Sequence, residues 1–124
     1  MSEAAPDHVA AEHVKLAYRL ISPRYYIRYR AWRTRRRGEE AHEGELNLLP
    51  NIVPRGRTAI DVGANRGLYT YFLSRLANRT VAYEPAPPMA LFLRQAKLAN
   101  VDVREAGVSN KNGEDIFFVQ HTAK

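Results

Sequence analysis

Thr58-Ala59-Ile60-Asp61-Val62-Gly63-Ala64-Asn65-Arg66-Gly67-Leu68-Tyr69-Thr70 is the stretch on which the fold turns. Thr58 to Val62 is a short, apolar, β-prone run of the kind that forms a parallel strand buried on both faces. Gly63 to Gly67 reads as a tight loop, with glycines where a sharp turn needs them. From Leu68 the spacing becomes helical: Leu68, Phe72 and Leu76 fall four residues apart, with Tyr69 and Leu73 beside them. Strand, loop and helix in immediate succession make the first half of a βαβ unit.

Working outward, Asn78-Arg79 turns the chain and Thr80 to Tyr83 is a second short strand ending at Glu84. Pro85 to Pro88 form a rigid loop and helix start. Met89, Phe92, Leu93, Ala96 and Ala99 then make a helical stripe to about Asn100. Val101 to Ala106 reads as a third strand. Asn112-Gly113 is a turn signal, and Ile116 to Gln120 reads as a fourth strand. Upstream, Glu39 to Asn51 predicts a short helix that buries Leu46, Leu48 and Leu49 and ends at Pro50 and Pro54. The alternation predicts an α/β fold, a Rossmann-like parallel sheet of which the first three βα units are present. Right-handed crossovers bring the carboxyl ends of all strands to one edge, where a ligand is expected.

Two carboxylates mark that edge. Asp61 stands near the end of the first strand and Glu84 at the end of the second, 23 residues later. A dinucleotide cradle needs glycine at 63, 65 and 68, and this chain has Asn65 and Leu68. Asp61 would repel a pyrophosphate and attract a cationic group. A carboxylate at Glu84 suits the two hydroxyls of a ribose. Together they predict an adenosine ligand that carries positive charge, a description met by S-adenosylmethionine. Taken singly, Asp61 as a helix cap and Glu84 as a solvated loop acid are the simpler readings.

Ala59 to Thr70 resembles the first motif of FkbM-type methyltransferases, and Val81-Ala82-Tyr83-Glu84-Pro85 is similar to their second. Asn100-Val101-Asp102-Val103 and Gly107-Val108-Ser109-Asn110, followed by Gly113, keep the family's order. The resemblance covers roughly residues 39 to 124. It implies an S-adenosylmethionine-dependent O-methyltransferase acting on a hydroxyl of a sugar, glycolipid or secondary metabolite. Carried over position by position, Asp61, Gly63, Ala64, Asn65 and Gly67 hold the methionine end of the cofactor, and Glu84 the ribose. Glu105 and Ala106 lie near the adenine. Gly107 stands where the family more often has Ala. Members continue with further strands that carry the acceptor site, beyond the point reached by Lys124. The expectation is therefore the N-terminal part of such a domain, with no catalytic residue assigned and with Ile60 and Val62 on an exposed sheet edge open to a partner chain. A non-catalytic remnant that keeps the cofactor loop is the alternative.

The charge is concentrated elsewhere. The 124 residues carry 19 Lys and Arg against 13 Asp and Glu, a formal net charge of +6. Nine of the basic residues lie between Lys15 and Arg37, where there is no acidic one. Tyr18, Tyr25, Tyr26, Tyr29 and Trp32 are interleaved with them. Val14, Ala17, Leu20 and Ile21 have helical spacing, Ser22-Pro23 restarts a helix running to about Arg35, and Gly38 stops it. Residues 1–38 thus read as a basic helical arm ahead of the domain. Its simplest role is to pack its aromatic side on the domain and leave its arginines in water. An anionic membrane surface comes next, and nucleic acid is the less favoured partner. The absence of cysteine excludes disulfides, thiolate zinc sites and a cysteine nucleophile. His8, His13, His42 and His121 show no metal-ligand spacing, so no metal is expected. Met1 to His13 lacks the charged start and apolar centre of a secretory signal, so a cytoplasmic location is expected.

Overall fold

The computed structural model describes residues 21–37 and 44–118. Along them run α1 (Pro23–Arg37), a 3-10 turn (Gly44–Asn47), α2 (Leu49–Ile52), β1 (Thr58–Val62), α3 (Leu68–Leu76), β2 (Arg79–Tyr83), α4 (Pro87–Gln95) and β3 (Val101–Arg104). The helical spacing expected up to Leu20, the stop at Gly38 and all four histidines lie outside the described residues.

The strands form a parallel sheet in the order β1-β2-β3, the α/β Rossmann-like arrangement expected. Each crossover steps in the same direction, so right-handed connections place α3 and α4 on one face. Register puts Asp61 beside Ala82 and Ala82 beside Val103, and this row belongs to the covered face. Ala82, Thr80 and Asp61 are accordingly buried. The other face carries Ile60, Val62, Val81 and Tyr83 together with Arg79, Asp102 and Arg104.

Ile60 and Val62 are 62% and 59% exposed. The outer strand therefore has the open edge expected. It is not buried on both faces, as its composition suggests, because no second helical layer covers its outward side among the described residues. The polar half of this open face is held by charge. Asp102 accepts from Arg104 at 2.7 Å and from Arg79 at 2.8 Å, and these bonds hold its carboxyl below the usual aspartate range.

The core lies between the sheet and three helices. Helix α1 begins where Ser22-Pro23 predicts, with the Ser22 carbonyl accepting from the amides of Tyr25 and Tyr26. It packs against both α3 and α4. Tyr26 and Ile27 join Ala82, Leu93 and Ala96, and Tyr26 meets the Phe92 ring edge-on at 5.6 Å. Ala31 joins Leu46, Leu49, Leu68, Phe72 and Leu73 in a second cluster.

Several boundaries differ from expectation. The helix expected over 39–51 is a 3-10 turn followed by the single-turn α2. Pro50 sits in the first turn of α2 and does not end it, because a proline there forfeits no helical hydrogen bond. Leu48 points to solvent. Helix α4 stops at Gln95, well before Asn100, because Lys97 takes a left-handed conformation at φ 47°. Asn100, also left-handed, turns its side-chain amide onto the end of α3, donating to the carbonyls of Ser74, Ala77 and Asn78 at 3.0, 3.0 and 3.2 Å. The third strand ends at Arg104. Its last bond runs from the Glu84 amide to the Arg104 carbonyl, and the next amide in the alternating ladder, that of Ala86, is taken by the Glu84 carboxylate instead. The fourth strand is absent from the described part of its range: Ile116, Phe117 and Phe118 are exposed and pair with no strand among the described residues. β propensity alone does not make a strand where no ladder partner is at hand.

Candidate functional site

The loop after β1 is built by three bends of the backbone. Gly63 and Gly67 have φ of 75° and 77°, and Asn65 between them has φ 50°. Glycine takes such angles freely, and asparagine tolerates them better than most residues. The turn folds back onto β2: the amides of Gly63 and Ala64 both donate to the Tyr83 carbonyl, at 2.9 and 3.0 Å.

Glu84 ties the arrangement together. One carboxylate oxygen accepts from the Asn65 amide at 2.7 Å, the other from the Ala86 amide at 2.8 Å. A single buried side chain thus fixes the loop after β1 and the loop after β2. The two bonds leave lone pairs unused on both oxygens. The reading of Glu84 as a solvated loop acid fails, since the residue is only 6% exposed.

Asp61 is equally enclosed, at 9% exposure, and accepts from the Thr70 hydroxyl at 2.6 Å. Burial raises its pKa above the usual aspartate range; the Thr70 bond opposes this, and the nearby Glu84 charge adds to it. Thr70, in the first turn of α3, meets Asp61 with its backbone amide as well as its hydroxyl, so the helix-cap reading of Asp61 stands beside the ligand reading. A buried carboxylate beside a second one, with only neutral donors from Thr70, favours the approach of positive charge.

The glycines separate by role. A Cβ on Gly63 would meet nothing within 4 Å, whereas one on Gly67 would stand 2.5 Å from Leu93 Cδ2 and 3.3 Å from Ile27 Cδ1. Gly63 leaves open space at the loop's surface. Gly67 is the contact point of α1, α3 and α4, and its close packing is against helices, not against the strand. Ala64 is buried and Asn65 is exposed.

The sheet edge therefore gathers Asp61, Gly63, Ala64, Asn65 and Glu84. Glu105 and Ala106 follow β3 on the same edge, beyond the strand that they were expected to end, and both are exposed. Glu105 is engaged by Arg94 at 2.9 Å. Thr70 and the Ala86 amide are the participants that the sequence reading did not assign. A β-branched polar residue amid the apolar positions of α3 was the available signal for Thr70; nothing marked Ala86.

No family model and no curated protein matches the chain. Two solved structures are similar to it. One is a DhpI–SAH complex, with a TM-score of 0.48 and 25% identity over 68% of this chain and 43% of that one. The other is a DhpI–SAM–HEP complex, with a TM-score of 0.47 and 24% identity over 66% of this chain and 40% of that one. The chain thus spans less than half the length of the DhpI chains that it matches.

Proposed function

We propose that the edge formed by Asp61, Gly63–Asn65 and Glu84 binds S-adenosylmethionine, as the cofactor half of an O-methyltransferase of the FkbM type. One observation carries the reading: two buried carboxylates stand at the carboxyl ends of adjacent parallel strands, joined through a loop whose first glycine leaves space for a ligand. The cofactor supplies an electrophilic methyl group on a sulfonium. Asp61 offers the negative charge that attracts its cationic end and orients that charge through Thr70. Glu84 keeps the loop in its bent form and presents its remaining lone pairs to the ribose hydroxyls. Glu105 and Ala106 border the adenine side of the same edge. The acceptor, by the motif resemblance, is a hydroxyl of a sugar, glycolipid or secondary metabolite. A partner segment pairing along β1 completes the sheet.

Calorimetry tests the cofactor reading, with S-adenosylmethionine as titrant and NAD as comparison. S-adenosylmethionine binds and NAD does not. A charge-assisted hydrogen bond contributes about 1.5–3 kcal/mol, so Asp61→Ala and Glu84→Ala each weaken binding by roughly 10- to 150-fold. Unchanged affinity in both variants, with circular dichroism intact, refutes the assignment.

A further inference from the structure

Helix α1 buries Tyr26, Ile27 and Ala31 and turns a different set of side chains outward. Tyr25, Tyr29 and Trp32 are all more than half exposed. At about 100° per residue, Tyr25, Tyr29, Trp32 and Arg36 fall within roughly 60° of one another, opposite the buried side. Arg28 and Arg33 flank this stripe. The expectation that the aromatic side of the arm packs on the domain is thus met only by Tyr26. The other three described aromatic residues of α1 point away from it.

The stripe is ordered by its own contacts. The Tyr29 and Trp32 rings lie 6.0 Å apart, and the Arg36 guanidinium stands 5.2 Å from the Trp32 ring centre. The helix contains seven arginines and no acidic residue. Beside it, an open groove of about 390 Å³ between α1, the end of α3 and the turn before β3 is lined by Arg24, Arg28, Arg75 and Lys97. None of these four meets a carboxylate among the described residues.

We propose that the outward face of α1 docks the protein on an anionic phospholipid membrane, with the adjoining basic groove receiving lipid phosphate. Tyr and Trp favour the headgroup level of a bilayer, where the ring body is apolar and its tip wet, and arginine stems extend along the same surface to reach phosphate. A straight row over three turns, roughly 16 Å long, meets a flat surface along its whole length. The stripe holds no aliphatic side chain, so the helix lies shallowly and charge dominates the attraction. Nucleic acid fits less well, because base stacking needs open ring faces and one face of Trp32 is already covered by Arg36. This surface is independent of the cofactor site.

Trp32 is the only tryptophan of the chain, so its fluorescence reports on this face alone. The full chain is titrated with phosphatidylserine–phosphatidylcholine vesicles and with pure phosphatidylcholine vesicles at physiological ionic strength. With the anionic vesicles the protein co-sediments and the Trp32 emission shifts to the blue; with the neutral ones neither occurs. Each arginine near the surface contributes about fivefold to partitioning, so Arg28→Gln/Arg36→Gln lowers it by about 25-fold. Arg55→Gln/Arg57→Gln, with the same change in net charge on a different part of the surface, leaves it unaltered. No partitioning into anionic vesicles overturns the proposal, and so does an equal loss in both double variants. A response of Trp32 to single-stranded RNA without lipid binding assigns the face to nucleic acid instead. A blue shift that depends only on protein concentration assigns it to a second copy of the chain.

Discussion

Gly63 and Gly67 have nearly the same backbone angle and different surroundings, which makes them a matched pair. Replacing either by alanine forces a Cβ into the left-handed region, at about 1–2 kcal/mol. For Gly63→Ala that is the whole structural effect, because a Cβ there meets nothing within 4 Å. For Gly67→Ala the new methyl lies 2.5 Å from Leu93 Cδ2, a buried side chain with little room to retreat. Overpacking adds about 1–3 kcal/mol, for a total of about 2–5 kcal/mol. In a domain of this size each kcal/mol moves the melting temperature by roughly 4–8 °C. Thermal and urea melts followed by circular dichroism measure both variants. Gly67→Ala is expected to melt well below Gly63→Ala, while Gly63→Ala alone loses S-adenosylmethionine affinity without further loss of stability. Equal destabilisation by the two substitutions refutes the three-helix contact at Gly67. Undiminished cofactor binding by Gly63→Ala refutes the use of its open side by the ligand.

Two further outcomes follow from buried polar groups. Burial raises the Asp61 pKa, so its ionised form opposes folding, and stability declines as pH rises from the unfolded aspartate range through the raised folded value. Asp61→Asn is therefore expected to melt higher than the wild type at neutral pH, with the difference closing on acidification; a wild type that is the more stable at neutral pH contradicts this. Thr80 is fully buried and its hydroxyl has no hydrogen-bond partner among the described residues. Thr80→Val keeps the shape and removes the orphan, so it is expected to gain about 1–3 kcal/mol in urea melts; a loss of that size shows a hidden partner.

The parallel sheet and its two crossover helices were legible because local pattern and tertiary position agree there. In the stripe from Leu68 pattern and packing agree throughout, and in Thr58 to Val62 propensity and pairing agree although one face of the strand stays open. The ends were less legible, because they are set by contacts from afar. Arg104 ends β3 because the Ala86 amide, next in the ladder, turns to the Glu84 carboxylate, and α4 stops at a left-handed Lys97 that no glycine announces. Ile116 to Phe118 carries the composition of a strand without a neighbour to pair with among the described residues. At the site, residue types announced the two carboxylates and the glycines, since charge at a strand end is rare enough to notice. Their division of labour was not legible. That Gly67 serves packing while Gly63 leaves space, and that Glu84 holds two loops, depends on three-dimensional neighbours.

The amide of Asn100 has a consequence for how the domain holds together in time. The carbonyl of Ser74 in the last turn of α3 and those of Ala77 and Asn78 just after it are closed by a residue more than twenty positions later, which also gives its own carbonyl to the Thr80 amide. The turn before β3 cannot open without baring the end of α3 and the first rung between β2 and β3. The two βα repeats are thus not separate units of opening. They share one latch, and amide-exchange protection along α3 and β2 should rise and fall as a single block.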